Sequence, residues 1–164
     1  MKIKSLIEVL LLSNPSPLTQ KTLDHVLGDL NDKYDLSKVV KELNNKYKKE
    51  SKAYHIALVS GGYKFFSNED YYRYINKLNL SNKKNTFSQP SMETLSIIAY
   101  KQPITRLEIE HLRGVDCTGV IKNLLEKCLI IVKGRQKGLG RALLYATSKN
   151  FLEKFGLNNL KDLP

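Results

Sequence analysis

One phrase is written twice in this chain. Pro17, Thr19, His25 and Gly28 recur 86 positions later as Pro103, Thr105, His111 and Gly114. Apolar residues recur with them, Leu18 as Ile104, Leu23 as Ile109 and Val26 as Leu112. Upstream, Leu6, Val9 and Leu12 read as the counterparts of Met92, Leu95 and Ile98. Two amphipathic helices can resemble each other by chance, but matched proline and glycine punctuation argues for two copies of one small domain. Two domains of about 80 residues would each bury only about two-thirds of their unfolded surface, so partner contacts would help both.

The second copy carries the stronger local signals. Met92, Leu95, Ile98 and Ala99 recur at helical spacing, with Ser91 as the predicted N-cap. Pro103 ends that helix, because its ring excludes the helical conformation from the residue before it. Thr105 opens the next helix, and Glu108 three residues on completes a capping box. Leu107, Ile109 and Leu112 are expected to face the core, and Gly114 stands where a helix terminates in a left-handed residue. Helix, sharp corner, helix and stop make a helix-turn-helix.

The rest of each copy follows one order. In the first, helices are predicted over 3–12, 19–27 and 36–48, the last burying Leu36, Val39, Val40, Leu43 and Tyr47. Strands over 54–60 and 63–67 flank a Gly61-Gly62 turn, and a helix over 69–80 follows. In the second, helices over 91–101, 105–113 and 118–127 precede strands over 129–134 and 142–146, joined by a basic loop. Ser148 caps a last helix, and Leu157, Leu160 and Leu163 are too apolar for a free tail. The expected fold class is α+β, mainly helical: two tandem winged helices, over 1–80 and 91–164, with a polar linker at 81–90.

Little here points to catalysis. His25 and His111 occupy equivalent mid-helix positions, which predicts packing. Glu108 and Glu110 are two apart on a helix and face different sides. Gly134, Gly138 and Gly140 lack the Gly-Lys-Ser/Thr of a phosphate loop. Cys117 and Cys128 come without a metal-ligand cluster, so no metal and no cofactor are expected. Lys2 and Lys4 before an apolar run resemble a signal peptide's start, but Glu8 interrupts the run and no cleavage site follows. No apolar run reaches membrane-spanning length, so a soluble, cytoplasmic, non-enzymatic protein without a membrane partner is expected.

The formal charge of +11 is spread over both halves and comes mostly from Lys. It reads either as scattered solvated side chains or as an electrostatic footprint for nucleic acid. Lys133, Arg135, Lys137 and Arg141 make the second loop basic, suited to phosphates or to an acidic protein partner. Aromatics crowd the first copy. Phe65 and Phe66, neighbours on a strand, face opposite sides, so only one can fill the domain's own core. A dimer interface is therefore expected at Tyr54, Tyr63, Phe65, Phe66, Tyr71, Tyr72 and Tyr74, against the plainer reading of a locally aromatic core.

These residues resemble a known family. Glu93-Thr94-Leu95-Ser96-Ile97-Ile98-Ala99-Tyr100-Lys101-Gln102-Pro103-Ile104-Thr105-Arg106, with Arg113-Gly114-Val115, Gly140-Arg141, Leu144-Tyr145 and Phe155-Gly156-Leu157, is similar to the signature of segregation and condensation protein B. The family's usual Pro-Gly-Arg-Pro wing stands here as Leu139-Gly140-Arg141-Ala142, and Tyr145-Ala146 replaces Tyr-Gly. The resemblance implies a homodimer formed mainly through the first winged helix. It also implies that the second binds the kleisin subunit, segregation and condensation protein A, with Arg106, Arg113, Arg135, Arg141 and Tyr145 as the expected contacts. Through the kleisin the chain would join an SMC ATPase, support chromosome condensation and segregation, and lie at the nucleoid, with weak non-specific DNA contact as a further expectation. The alternative is a winged-helix DNA-binding transcriptional regulator reading bases with the third helix of the first copy, where Lys38, Lys41, Asn44, Asn45 and Lys48 are expected to face outward.

Overall fold

The computed structural model describes residues 3–28, 34–79, 87–138 and 140–164. The chain divides into two compact units, Met1–Lys83 and Lys84–Pro164. Each runs through three helices into an antiparallel β-hairpin and a further helix, an α+β architecture with small sheets.

In the first unit, α1 (Ile3–Ser13) buries Ile7 and Leu11, whereas Val9 and Leu12 are exposed. The expected pairing of Leu6, Val9 and Leu12 with the second copy is therefore out of register. Ser13-Asn14-Pro15-Ser16 is a longer corner than Lys101-Gln102, and the extra chain rotates the helix stripe. Helix α2 (Gln20–Val26) starts at Thr19, whose hydroxyl accepts from the Thr22 N–H at 3.1 Å. The Gln20 amide spans to the next helix, donating to the Tyr34 carbonyl and accepting from the Leu36 N–H, each at 2.8 Å. Helix α3 (Leu36–Lys49), capped by Asp35, buries Leu36, Val39, Val40, Leu43 and Tyr47, the stripe expected from its spacing. Each such fully buried aliphatic side chain contributes roughly 1.5–3 kcal/mol over its exposed state.

Strands β1 (Tyr54–Val59) and β2 (Gly62–Ser67) pair from Tyr54 opposite Ser67 to Val59 opposite Gly62. The turn residues are thus Ser60 and Gly61, both at positive φ, and not the expected Gly61-Gly62. Leu18 joins the hairpin by exchanging two backbone hydrogen bonds of 2.8 Å with Tyr63. A 3-10 turn, Glu69–Tyr71, leads into α4 (Tyr72–Asn79), which buries none of residues 72–78.

The second unit opens with α5 (Gln89–Lys101), two residues earlier than expected, from the N-cap position at Ser88. Ser91 is not the cap but a buried residue of the first turn, its hydroxyl 3.0 Å from that of Ser88. Of the predicted linker, 81–86 lies outside the described residues, Phe87 packs on the second core, and Gln89 and Pro90 belong to α5. Strand β3 (Ile104–Thr105) adds to the expected elements; it forms because the corner extends the chain alongside β5 (Leu143–Thr147). Helix α6 (Arg106–Arg113) ends at Gly114 with φ 71°, and α7 (Thr118–Glu126) follows. Strand β4 (Ile130–Arg135) pairs with β5, with a register shift between Val132 and Gly134. Ser148 caps α8 (Lys149–Lys154), accepting from the Phe151 N–H at 3.1 Å. Leu157 and Leu163 pack on the second core as expected, while Leu160 is exposed.

Two inward assignments do not hold. Ile109 alone of the α6 apolar residues is buried; Leu107 and Leu112 face out. His25 and His111 are likewise exposed, not packed, because each lies on the outer side of its helix from buried Leu23 or Ile109.

Candidate functional site

The capping box at the start of α6 is built as its residue types require. The Thr105 hydroxyl accepts from the Glu108 N–H at 3.3 Å, and the Glu108 carboxylate accepts from the Thr105 N–H at 2.8 Å and its hydroxyl at 2.7 Å. The backbone bond, then the hydroxyl bond, hold the Glu108 carboxyl below the usual carboxylate range. This cap sets Arg106 at the first helical position. Its Nε lies 3.5 Å from Glu110 Oε1, and its Nη1 donates to Thr118 Oγ1 at 3.0 Å.

Arg106 faces a cleft of about 340 Å³ lined also by Leu107, Arg135, Arg141, Leu143 and Tyr145. Arg135 ends β4 and donates from Nη1 to the Arg141 carbonyl at 3.2 Å, which straps the basic loop across its base. The Gln136 N–H closes the same loop onto the Ala142 carbonyl at 2.8 Å. Tyr145, opposite Ile104 on one side and Val132 on the other, is buried in the cleft wall. Four of the five residues expected to bind the kleisin are thereby brought together: Arg106, Arg135, Arg141 and Tyr145.

Arg113 is placed elsewhere. Its side chain is 8% exposed and ties helices together, Nη2 donating to Glu93 at 3.1 Å and Nη1 to the Cys117 sulfur at 3.4 Å. Its Nε is buried without a hydrogen-bond partner.

A second concavity, about 490 Å³, runs along α6 between Lys101, Ile104, Leu107, Glu108, His111 and Leu112. Leu107, 67% exposed, lies in both concavities, and Leu112 is 55% exposed. Sequence reasoning missed this face by placing both leucines in the core. The repeat held the signal, since Lys21 takes the position of Leu107 in the first copy.

In the first unit, Tyr63 and Phe65 are half-buried against the core, and Phe66 lies on the opposite face, stacked on the His55 ring at 6.3 Å. Tyr54 bridges outward from Tyr47, 5.2 Å between ring centres. Tyr71, Tyr72 and Tyr74 are exposed, and Leu78, one turn beyond Tyr74, is 75% exposed. Asn44, expected to face outward for base reading, is instead bonded to the backbone of Ile56. Lys38 lies 4.0 Å from Asp35. Among the described residues no cluster of three metal-ligating side chains occurs, and no helix is long and apolar enough to cross a membrane.

Residues 5–164 match the family described as segregation and condensation complex subunit ScpB. The segregation and condensation protein B of Symbiobacterium thermophilum is 39% identical over 161 residues, 98% of this chain and 72% of that protein. That of Alkaliphilus oremlandii is 39% identical over 163 residues, covering 99% and 87%. A crystal structure of ScpB from Mycobacterium tuberculosis, 26% identical, covers 95% of this chain and 96% of that one with a TM-score of 0.44. On the sequence matches alone, which run through both repeats and the cleft between α6 and the basic loop, the chain belongs to the segregation and condensation complex subunit ScpB family.

Proposed function

We propose that this chain is a non-enzymatic subunit of a bacterial SMC–kleisin complex, working in the cytoplasm at the nucleoid in chromosome condensation and segregation. Its two units are two tandem winged helices, the first forming a homodimer and the second gripping the kleisin, segregation and condensation protein A. The observation that carries the reading is the cleft holding Arg106, Arg135, Arg141 and Tyr145 beside the exposed leucines of α6. Exposed apolar and cationic side chains around a concavity favour a polypeptide partner. The unburied aromatics of the first unit support dimerisation, since a single copy leaves Tyr71, Tyr72, Tyr74 and Leu78 in water. A dimer presents two grips, so an elongated partner held at both gains effective concentration.

Co-purification with the kleisin, combined with light scattering at micromolar concentration, tests both halves. A dimer that retains the kleisin is expected; a monomer removes the dimer, and failure to retain the kleisin removes the grip. A DNA-binding regulator is favoured by the exposed cations at Lys133, Arg135, Lys137 and Arg141 and by Lys38, Lys41, Asn45 and Lys48, which stay exposed on α3. Preference for one duplex sequence over random DNA would replace the present reading, whereas weak binding lost with salt would reflect phosphate attraction alone.

A further inference from the structure

Resting on the kleisin reading, we infer that the cleft and the groove along α6 form one composite site for an acidic amphipathic segment. A partner carboxylate sits among Arg106, Arg135 and Arg141, and its apolar side chains cover Leu107 and Leu112. Continuity comes from Leu107, which lines both concavities. Leu107 and Leu112 both line the groove and are five residues apart, about 7.5 Å along a helix, so a partner segment must present apolar side chains from more than one turn to cover both.

The charge at one end identifies the partner's chemistry. Among the described residues, no ion pair involves Arg135 or Arg141, whereas Arg106 already faces Glu110 and, through Thr118, Asp116, so the cationic surplus of the cleft lies at Arg135 and Arg141. A guanidinium has five N–H donors, and the strap from Arg135 to the Arg141 carbonyl uses one while holding the group in place. Such fixed forks match a carboxylate two bonds at a time. Lys101 adds a further cation at the groove's edge. A nucleic-acid backbone would satisfy the arginines but leave Leu107 and Leu112 in water, whereas an acidic amphipathic segment meets both.

The test is kleisin binding to the full-length protein, by calorimetry at low and high salt. Four variants of exposed side chains are compared: Arg135→Glu, Arg141→Glu, Leu107→Ser and Leu112→Ser. Each should weaken binding by about tenfold. Raising salt should shrink the arginine effects and leave the leucine effects in place. Lys137→Glu, a charge reversal in the same loop outside the cleft lining, should change affinity by less than about twofold, which separates the site from general charge. Kleisin binding that is equal in wild type and all four variants overturns the composite site and leaves the kleisin reading standing. No binding by the wild type removes that reading and this site with it. Loss of duplex DNA binding in the arginine variants, with kleisin affinity unchanged, would reassign the cleft to phosphate and overturn the inference.

Discussion

The side chain of Asn44 holds both outward-facing backbone groups of Ile56. Its Nδ2 donates to the Ile56 carbonyl at 2.8 Å, and its Oδ1 accepts from the Ile56 N–H at 2.9 Å. Helix α3 thereby stands in for a third strand along the open edge of β1, as a sheet edge left bare invites pairing with other chains. Replacing Asn44 by Ala frees two partly buried groups at once. The expected cost is about 1–3 kcal/mol, read as a lower urea midpoint with an unchanged slope. Asn44→Asp should recover little, since a carboxylate cannot donate to the carbonyl.

Gly62 and Gly61 are adjacent but glycine for different reasons. A Cβ at Gly62 would lie 2.9 Å from Pro17 Cβ and 3.0 Å from the Leu18 carbonyl, where β2 meets the corner of the first unit. A Cβ at Gly61 would meet nothing, and only its φ of 76° resists substitution. Gly62→Ala should therefore cost about 1–3 kcal/mol by pushing Leu18 off Tyr63. Gly61→Ala should cost about 1 kcal/mol from backbone conformation. Equal thermal-melt losses for the two variants would contradict this division.

Local, self-contained signals were readable in advance. The α3 stripe, the Thr105–Glu108 capping box, the Ser148 cap and Gly114 at a helix end each depend on spacing or backbone chemistry within one turn. What escaped depends on what lies opposite. The turn is Ser60-Gly61, and Gly62 is glycine because Pro17 lies against it, while β3 exists because β5 runs beside the corner. Leu107 and Leu112 fit a helical stripe as well as Ile109 does, and only the position of the core distinguishes them. The same ambiguity affected the site. Arg113 and Arg106 are both arginines of α6, yet one is packed against Glu93 and Cys117 and the other faces the cleft.

The capping box makes acid stability depend on Glu108. Its folded carboxyl titrates below the ordinary value of 4.5, because the Thr105 N–H and hydroxyl bond the charged form. The resulting stabilisation is fully present above that ordinary value and is lost as pH falls through the lower folded one. Glu108 is exposed, so the charge effect is small, and the cap itself is the larger quantity. Thr105→Ala should cost about 0.5–2 kcal/mol at neutral pH. Glu108→Gln should flatten the decline in melting temperature on acidification below the ordinary carboxylate range. An unchanged acid limb in that variant would show that other carboxylates govern it.

Arg113 is expected to act on stability and not on partner binding. Its guanidinium is buried between α5 and α6, whereas its ionic partner Glu93 has a side chain 48% exposed. Removing Glu93 strands a buried cation; removing Arg113 strands a carboxylate that water can still reach. Glu93→Gln keeps an acceptor toward Nη2, and Cys117 keeps the bond to Nη1, but the buried charge loses its counter-ion, so the cost should be about 1–3 kcal/mol. Arg113→Ala loses both bonds and the packing of the stem, for about 2–4 kcal/mol. Arg113→Met restores the stem and removes the unpaired Nε, so it should recover part of that loss. Measured below their unfolding transitions, all three variants should bind the kleisin within about twofold of wild type. A larger binding loss in a fully folded Arg113→Met protein would make Arg113 part of the contact surface after all.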